Sequence, residues 1–423
     1  MHYSFLSEST GFERAAFSSN VLSENCIFVW LEQMVRFGRV IISNRMHKKK
    51  FDLSKRDFLK KSLALSAGLM CFPCKSVLAG MSSEDQSLYR KIAMYQEETA
   101  RGIMCRICPN ECVLKEGELS KCNNRIVHNS KLYTMAFGNP NTVNVDPIEK
   151  KPLYHFLPGS KAFSIATAGC NLVCLNCQNW TISQTSPDKT RNYDLPPENV
   201  VESCAKNNCS SIAYTYSEPI TFYEYTYETA VLARKAGIKN VFKSNGYINP
   251  EPLKKLCGVI DAANIDLKAF NESTYLKLTG GKLQPVLDSL KMLKDMGVWL
   301  EITNLIVPDW TDNEDEIRNM CKWLSENGFK NTPLHFSRFY PMHKLEQLPP
   351  TPVELLKNAY DIATAEGLKY VYTGNVPGSE ISDTKCPSCN SKVVIRQGFR
   401  IAEISITGGK CNKCGNKIDG VWN

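Results

Sequence analysis

Eighteen cysteines in 423 residues are the first chemical signal, because eleven of them fall into three tight clusters. In a chain this long they are too dilute for a disulfide scaffold and are laid out as metal sites. The middle cluster is Cys170, Cys174 and Cys177, spaced CxxxCxxC on a loop directly after an apolar strand at 162–168. Three thiolates cannot close a four-iron cluster. One iron is left without a protein ligand, and an open coordination position is a catalytic feature. The alternatives at this point are a ferredoxin-like cluster completed by Cys204 or Cys209, or a zinc site.

In the CxxxCxxC spacing the vacant iron suits the amino and carboxylate groups of S-adenosylmethionine (SAM). The other two clusters have four members each. Cys105, Cys108 and Cys112 are followed, after nine intervening residues, by Cys122. Four thiolates there can enclose one zinc ion tetrahedrally or hold a second iron–sulfur cluster, zinc being the blander reading on ligand softness. A disulfide pair is the third option if the protein matures outside the cytoplasm. The last cluster pairs Cys386 and Cys389 with Cys411 and Cys414, across 21 residues that hold strand-like stretches at 393–395 and 401–406. Two CxxC knuckles around a hairpin match a zinc ribbon, whose few residues bury little core and take folding free energy from the metal. The remaining seven cysteines have no metal spacing among themselves and read as lone buried thiols.

These clusters need a scaffold. After Cys177, short apolar stretches at 211–215, 240–243, 263–267, 299–305, 334–339 and 370–372 alternate with helical patterns at 220–235, 286–296, 314–327 and 352–366. That alternation predicts a parallel sheet with helices outside, closing as a complete or partial (β/α) barrel with its active residues at the carboxyl ends of strands. The fold class expected is therefore α/β: a partial TIM-type barrel over 161–378, a Cys-rich module over 86–160 and a zinc ribbon over 379–423. No dinucleotide GxGxxG loop, GxxxxGK[ST] phosphate loop, HExxH helix or GxSxG elbow occurs.

Residues 46–80 read as an address. A basic stretch, an apolar run at 63–72 and a small-residue site around Val77, Leu78 and Ala79 form the parts of an export signal. The stretch from Ser54 to Lys60 resembles a twin-arginine (Tat) signal with Lys55 in place of the first Arg, a route that carries proteins already folded around their metals. Export to the periplasm and retention in the cytoplasm, where the cluster would be assembled, both stay open. Residues 1–45 are expected to be a non-native upstream extension, with Met46 the initiator. Seven Lys/Arg against two Asp between 46 and 62 supply most of the +8 net charge, so the rest of the chain does not read as a nucleic-acid binder. No run of about 18 apolar residues predicts a membrane span.

A family resemblance extends this reading. CRICPNEC, DPIEKKPLYHFLPGS, GCNLVCLNCQNWTISQ, AYTYSEP, DAANIDLKAF, EITNLIVPDWTDNEDEI, HFSRFYP, LPPTPVELL and YVYTGNVPG resemble, in order, the radical SAM enzyme of AmmeMemoRadiSam systems. This family lies in the branch with the pyruvate formate-lyase activating enzymes, and the likeness covers roughly 100–423. It implies a [4Fe-4S] cluster at Cys170, Cys174 and Cys177 and a 5′-deoxyadenosyl radical that takes hydrogen from a substrate. It implies SAM binding at Tyr216, Ser217 and Glu218 (methionyl amino group), at Ser244 and Asn245 (ribose), at Asp266 and Lys268 (carboxylate end) and at His335. The bland alternatives are an ordinary strand-to-helix turn at Pro219, an internal Asp266–Lys268 ion pair and a core histidine. Asn176 stands where many members carry an aromatic residue. Lys243 stands where the activating enzymes often carry an Asp that helps hold a monovalent cation; an inward Lys243 could replace that cation. Partners implied are an external electron donor with Memo-like and AMMECR-type proteins, or a glycyl-radical enzyme as the target of an activase. An electron-transfer or structural metal protein is the non-catalytic alternative.

Overall fold

The computed structural model describes residues 89–422, apart from 377 and 379. The expected export signal at 46–80 and extension at 1–45 lie outside the described residues. The body is an eight-stranded sheet in sequence order: β1 (Thr142–Pro147), β2 (Lys161–Ala166), β3 (Ser211–Tyr214), β4 (Lys239–Ser244), β5 (Ala262–Asp266), β6 (Trp299–Ile306), β7 (Leu334–Arg338) and β8 (Val371–Gly374). Neighbours from β2 to β8 are parallel, whereas β1 runs antiparallel to β2. β1 and β8 are its two edges and do not pair, so the sheet is open. The boundary expected at 160/161 falls inside the β1–β2 ladder; residues 142–147 belong to the sheet because they satisfy the outer backbone edge of β2.

Every residue of β3 is buried, as in a parallel sheet covered on both faces. The connecting helices are α1 (Pro197–Lys206), α2 (Tyr223–Lys235), α3 (Pro250–Cys257), α4 (Glu272–Thr279), α5 (Gln284–Asp295), α6 (Glu314–Glu326) and α7 (Val353–Ala365). Each turns an apolar stripe inward: Val286, Leu287, Leu290 and Leu293 on α5 and Ile317, Met320, Cys321 and Leu324 on α6 join one core with Leu300, Ile302 and Leu334. Asn271 and Asn313 cap α4 and α6, accepting from the backbone of Thr274 and Glu316. Among the described residues no helix is long and apolar enough to cross a membrane.

The register decides what faces the site. Asp266 is opposite Thr303, Thr303 opposite His335, and Lys243 opposite Asn264 one step down. Because side chains alternate, Asp266, Thr303, His335 and Lys243 all reach one cavity.

Two smaller parts flank the sheet. Upstream are two three-stranded antiparallel sheets, one of Lys91–Ile92, Lys131–Thr134 and Arg125–His128, the other of Gln96–Thr99, Gly102–Cys105 and Val113–Leu114. They are anchored by a buried ion pair: Arg125 donates twice to Glu224 of α2, at 3.0 Å each, and Glu224 also accepts from Met94 N at 2.7 Å. Downstream, an antiparallel sheet of Thr384–Lys385, Lys392–Gln397 and Arg400–Ile404 is followed by a strand pair, Ile406–Thr407 and Lys410–Cys411; Cys386 and Cys389 lie between the first two strands, Cys411 in the pair and Cys414 just after it. It does not stand alone. Cys386, Cys411 and Ile418 share a core with Tyr154, Tyr370 and Tyr372, and Arg396 donates to the Tyr154 carbonyl while lying 4.1 Å over its ring. His155 ties the same seam: Nδ1 donates to the Asp419 carbonyl and Nε2 accepts from the Tyr372 hydroxyl, with burial holding the imidazole neutral at a pKa of about 4.

Glu224→Gln leaves the Arg125 guanidinium buried beside a neutral partner. We expect a loss of roughly 3–5 kcal/mol in chemical denaturation, the scale of breaking a buried pair; a loss under about 1 kcal/mol would show that the pair anchors nothing.

Candidate active site

The cysteine loop leaves β2 at its carboxyl end. Gly169 makes the departure possible: its φ is +100°, and a Cβ there would lie 2.4 Å from the Cys122 carbonyl oxygen. The loop is then fixed by its own backbone, Val173 N donating to the Thr279 carbonyl at 2.8 Å and Leu175 N to the Leu278 carbonyl at 2.9 Å. Cys170, Cys174 and Cys177 all open on one cavity of about 1360 Å³. Burial pushes the Cys170 thiol well up and the Cys174 thiol to about 11, with Lys268 partly offsetting the latter. Both are protonated at neutral pH in the metal-free chain, so metal binding must release their protons. Cys204 and Cys209 do not reach this cavity. They pack with Val200, Ile212 and Tyr214, and Cys204 Sγ donates to the Cys209 carbonyl, which removes the ferredoxin-like alternative that needed them.

The turn after β3 and the turn after β4 are joined through Glu218. Its carboxylate accepts from Ile220 N at 3.2 Å, Ser244 Oγ at 2.7 Å and Asn245 N at 2.8 Å. Burial outweighs these donors and pushes its pKa up to about 7. Asn245 Nδ2 donates to Asn171 Oδ1 at 2.8 Å and lies 3.8 Å from Cys170 Sγ, while Asn245 Oδ1 accepts from Tyr247 N. Ser217 Oγ donates to the Thr167 carbonyl at 2.6 Å. Glu218, Ser244, Asn245 and Ser217 thus line the cavity but spend side-chain bonds holding its rim together. The Glu218 oxygens thus face three donors of the protein itself.

Lys243 points inward. Its Nζ donates to Asn264 Oδ1 at 2.7 Å and to Asp266 Oδ1, while Lys268 Nζ donates to Asp266 Oδ2 at 2.9 Å. Burial works against the Asp266 carboxylate, but the two ammonium groups hold it well below the ordinary carboxylate range. The Asp266–Lys268 ion pair and the position at the cavity coexist. His335 donates from Nε2 to Glu301 at 2.7 Å, and Glu301 also accepts from Tyr154 N and His155 N. It is a pinned histidine at the cavity wall. Asn176 lines the same space.

The DPIEKK stretch carries no assigned role in the sequence, and in the structure it builds part of the cavity rim. Asp146 accepts from Lys150 at 2.9 Å, Lys151 at 2.6 Å and the Tyr216 hydroxyl, and the Lys151 ammonium lies 4.2 Å over the Tyr216 ring. Tyr216 is held at φ +65°, a left-handed conformation rare for an aromatic residue. The four-residue spacing of Asp146 and Lys150 was a readable signal; the reach from Lys151 to Tyr216 was not. Arg396 of the last sheet also borders the cavity.

The two four-cysteine sets differ. The sulfurs of Cys386, Cys389, Cys411 and Cys414 all lie within 4.8 Å of one another, and among the described residues no other three such ligand atoms do. Cys105, Cys108, Cys112 and Cys122 line a second, small cavity, with sulfurs spread more widely. A single tetrahedral ion there, the blander expectation, does not fit that spread.

At Cys170, Cys174 and Cys177 the donor chemistry fits a three-thiolate cluster. The cavity exceeds the roughly 300–1,000 Å³ of ordinary ligand sites, leaving room for a cofactor and a substrate.

Comparison with known proteins agrees. The sequence pattern of the radical SAM superfamily matches residues 164–324. An uncharacterized protein of Methanocaldococcus jannaschii, MJ0808, is 45% identical over 332 residues, which span 78% of this chain and 99% of that one. Pyruvate formate-lyase 1-activating enzyme of Escherichia coli is 26% identical over 164 residues, 38% of this chain and 67% of the enzyme. A solved domain of pyruvate-formate lyase-activating enzyme from Bacteroides vulgatus aligns with a TM-score of 0.35 and 14% identity, over 39% of this chain and 99% of the domain. With its matched domain, its α/β sheet and its three thiols at one strand end, the chain belongs to the radical SAM superfamily, a class of enzymes whose chemistry rests on a [4Fe-4S] cluster and S-adenosylmethionine.

Proposed function

We propose that this protein binds a [4Fe-4S] cluster through Cys170, Cys174 and Cys177 and cleaves SAM reductively to take a hydrogen atom from a substrate. The observation that carries this reading is the opening of three thiols, with no fourth cysteine among the described residues, on a large cavity that also holds Lys243, Asp266 and Lys268. When bound, the reduced cluster supplies the electron for cleavage of the sulfonium S–C5′ bond. The chain's part is ligation, orientation and exclusion of water. Tyr216, Ser217, Glu218, Ser244, Asn245 and His335 would shape the space around the cofactor, and the Lys243–Asp266–Lys268 row would meet its charged amino-acid end. With one carboxylate between two ammonium groups, that row has a surplus cation for the cofactor carboxylate.

Within the superfamily, our reading is the radical enzyme of an AmmeMemoRadiSam-type system, acting with Memo-like and AMMECR-type proteins and an external electron donor. The ordered motifs over 100–423 support it. The second reading, an activase that installs a radical on a glycyl-radical enzyme, is favoured by the similarity to the Escherichia coli pyruvate formate-lyase activating enzyme. For Cys386, Cys389, Cys411 and Cys414 we propose a structural zinc; sulfurs this close suit one tetrahedral ion.

Anaerobically reconstituted protein with SAM and dithionite should release 5′-deoxyadenosine, and Cys174→Ala should lose both this activity and the SAM-responsive part of its iron–sulfur spectrum. Wild-type protein that loads iron yet gives no 5′-deoxyadenosine would overturn the reading. Cys411→Ala should lose zinc by metal analysis while its iron content is retained; an equal loss of iron would mean that these cysteines hold a cluster. Lys243→Ala should weaken SAM binding by roughly 1–3 kcal/mol, the scale of a lost charge-assisted hydrogen bond. Wild-type binding should be indifferent to Na⁺ or K⁺ in titrations against a bulky organic-cation buffer, and a collapse without alkali cation would exclude Lys243 as the substitute for a bound ion.

A further inference from the structure

Cys105, Cys108, Cys112 and Cys122 converge on one small cavity together with Arg125, Asn110, Asn171 and Thr221. Cys105 and Cys122 are buried and the other two are partly covered, so these are not surface thiols. A zinc ion bonded at about 2.3 Å to four sulfurs holds them roughly 3.8 Å apart. The last cluster shows that geometry, with Cys386 Sγ 3.6 Å from Cys414 Sγ and Cys389 Sγ 3.8 Å from Cys411 Sγ. The first cluster does not: no three of its sulfurs lie within 4.8 Å of one another. Four thiolates on four different irons must stand farther apart than four thiolates on one ion, by the width of the iron cube between them.

The surroundings supply fixed donors. The Arg125 guanidinium borders the cavity, is 1% exposed and is held by two bonds to Glu224, which offsets its charge while keeping its N–H groups oriented beside the sulfurs. Ser120 Oγ lies 3.1 Å from Cys122 Sγ, within reach of donating to a thiolate. We propose that these four cysteines hold a second [4Fe-4S] cluster, fully ligated by protein and therefore unable to bind SAM.

Its position gives it a neighbour. The Cys122 carbonyl packs against Gly169, beside Cys170. Asn110 Nδ2 donates to the Asn171 carbonyl at 2.7 Å, and Asn171 Oδ1 accepts from Asn245, whose Nδ2 is the group beside Cys170 Sγ. The two chain neighbours of Cys170, Gly169 and Asn171, thus touch the first cysteine module directly.

The test is metal loading of a chain that has lost the first site. C170A/C174A/C177A, reconstituted anaerobically with iron and sulfide, should keep about half the wild-type iron and a visible charge-transfer band. After dithionite reduction it should give a paramagnetic signal that added SAM does not change. Cys108→Ala with Cys122→Ala in the otherwise native chain should lose that signal and keep the SAM-responsive one. The triple variant leaves the upstream module intact, so its metal content is decisive even if the double variant does not fold. Zinc in place of iron, or metal-free thiols or a disulfide in the triple variant, would overturn the proposal. Neither result depends on SAM cleavage, so this outcome is separate from that of the proposed function.

Discussion

Glu218 is a carboxylate enclosed by protein, and the geometry of the catalytic edge depends on the three donors it gathers. Strands in a parallel sheet end on one side, but nothing in the sheet fixes how the turns beyond them sit. Here the turn after β3 supplies the acceptor, and the turn after β4 supplies Ser244 Oγ and Asn245 N. Asn245 then reaches Asn171 and the sulfur of Cys170. One buried group therefore sets the spacing of two strand ends and the cysteine loop. Such a network is costly to disturb, because each partner left behind is a polar group without water.

Charge is arranged with the same economy. Asp266 lies between Lys243 and Lys268, and Asp146 between Lys150 and Lys151. Each carboxylate is outnumbered, and each row borders the same cavity. Burial alone would neutralise these groups; in pairs and triads they stay ionised and keep a fixed orientation. The cavity wall thus carries oriented charge before anything binds, which spares reorganisation at the moment of reaction.

The strands from β3 to β8 were legible in the sequence because continuous apolar runs such as Ser211–Tyr214 have no other stable home than a sheet buried on both faces. β1 was not. On a sheet edge its residues are exposed or half-covered apart from Asp146, and the strand ends in Pro147, so no apolar run marks them. Helices α1, α3 and α4 are only eight to ten residues long, too short for their periodicity to stand out. At the site, the three cysteine clusters could be read from spacing alone, since ligand geometry demands it. Which way Lys243 faces could not: a shift of one residue reverses the face, and only its pairing with Asn264 decides it. His155 is a latch whose role no local pattern marks, because its partners, Tyr372 and Asp419, lie more than two hundred residues away.

The shared core beneath the last cysteines has a thermodynamic consequence. Cys386 and Cys411 pack against Tyr154, Tyr370 and Tyr372, and Arg396 of the adjoining three-stranded sheet borders the main cavity. A metal ion held by those sulfurs in the folded chain alone would add RT ln(1 + [M]/Kd) to stability, and the added term would not stop at the small sheet. It would be felt at the β8 edge and at the wall that Arg396 helps to form. Local opening of that wall, the fluctuation that would admit solvent to a radical site, would therefore be governed by the free metal concentration. A chelator in the buffer would act on the catalytic cavity without touching the three cysteines at its centre.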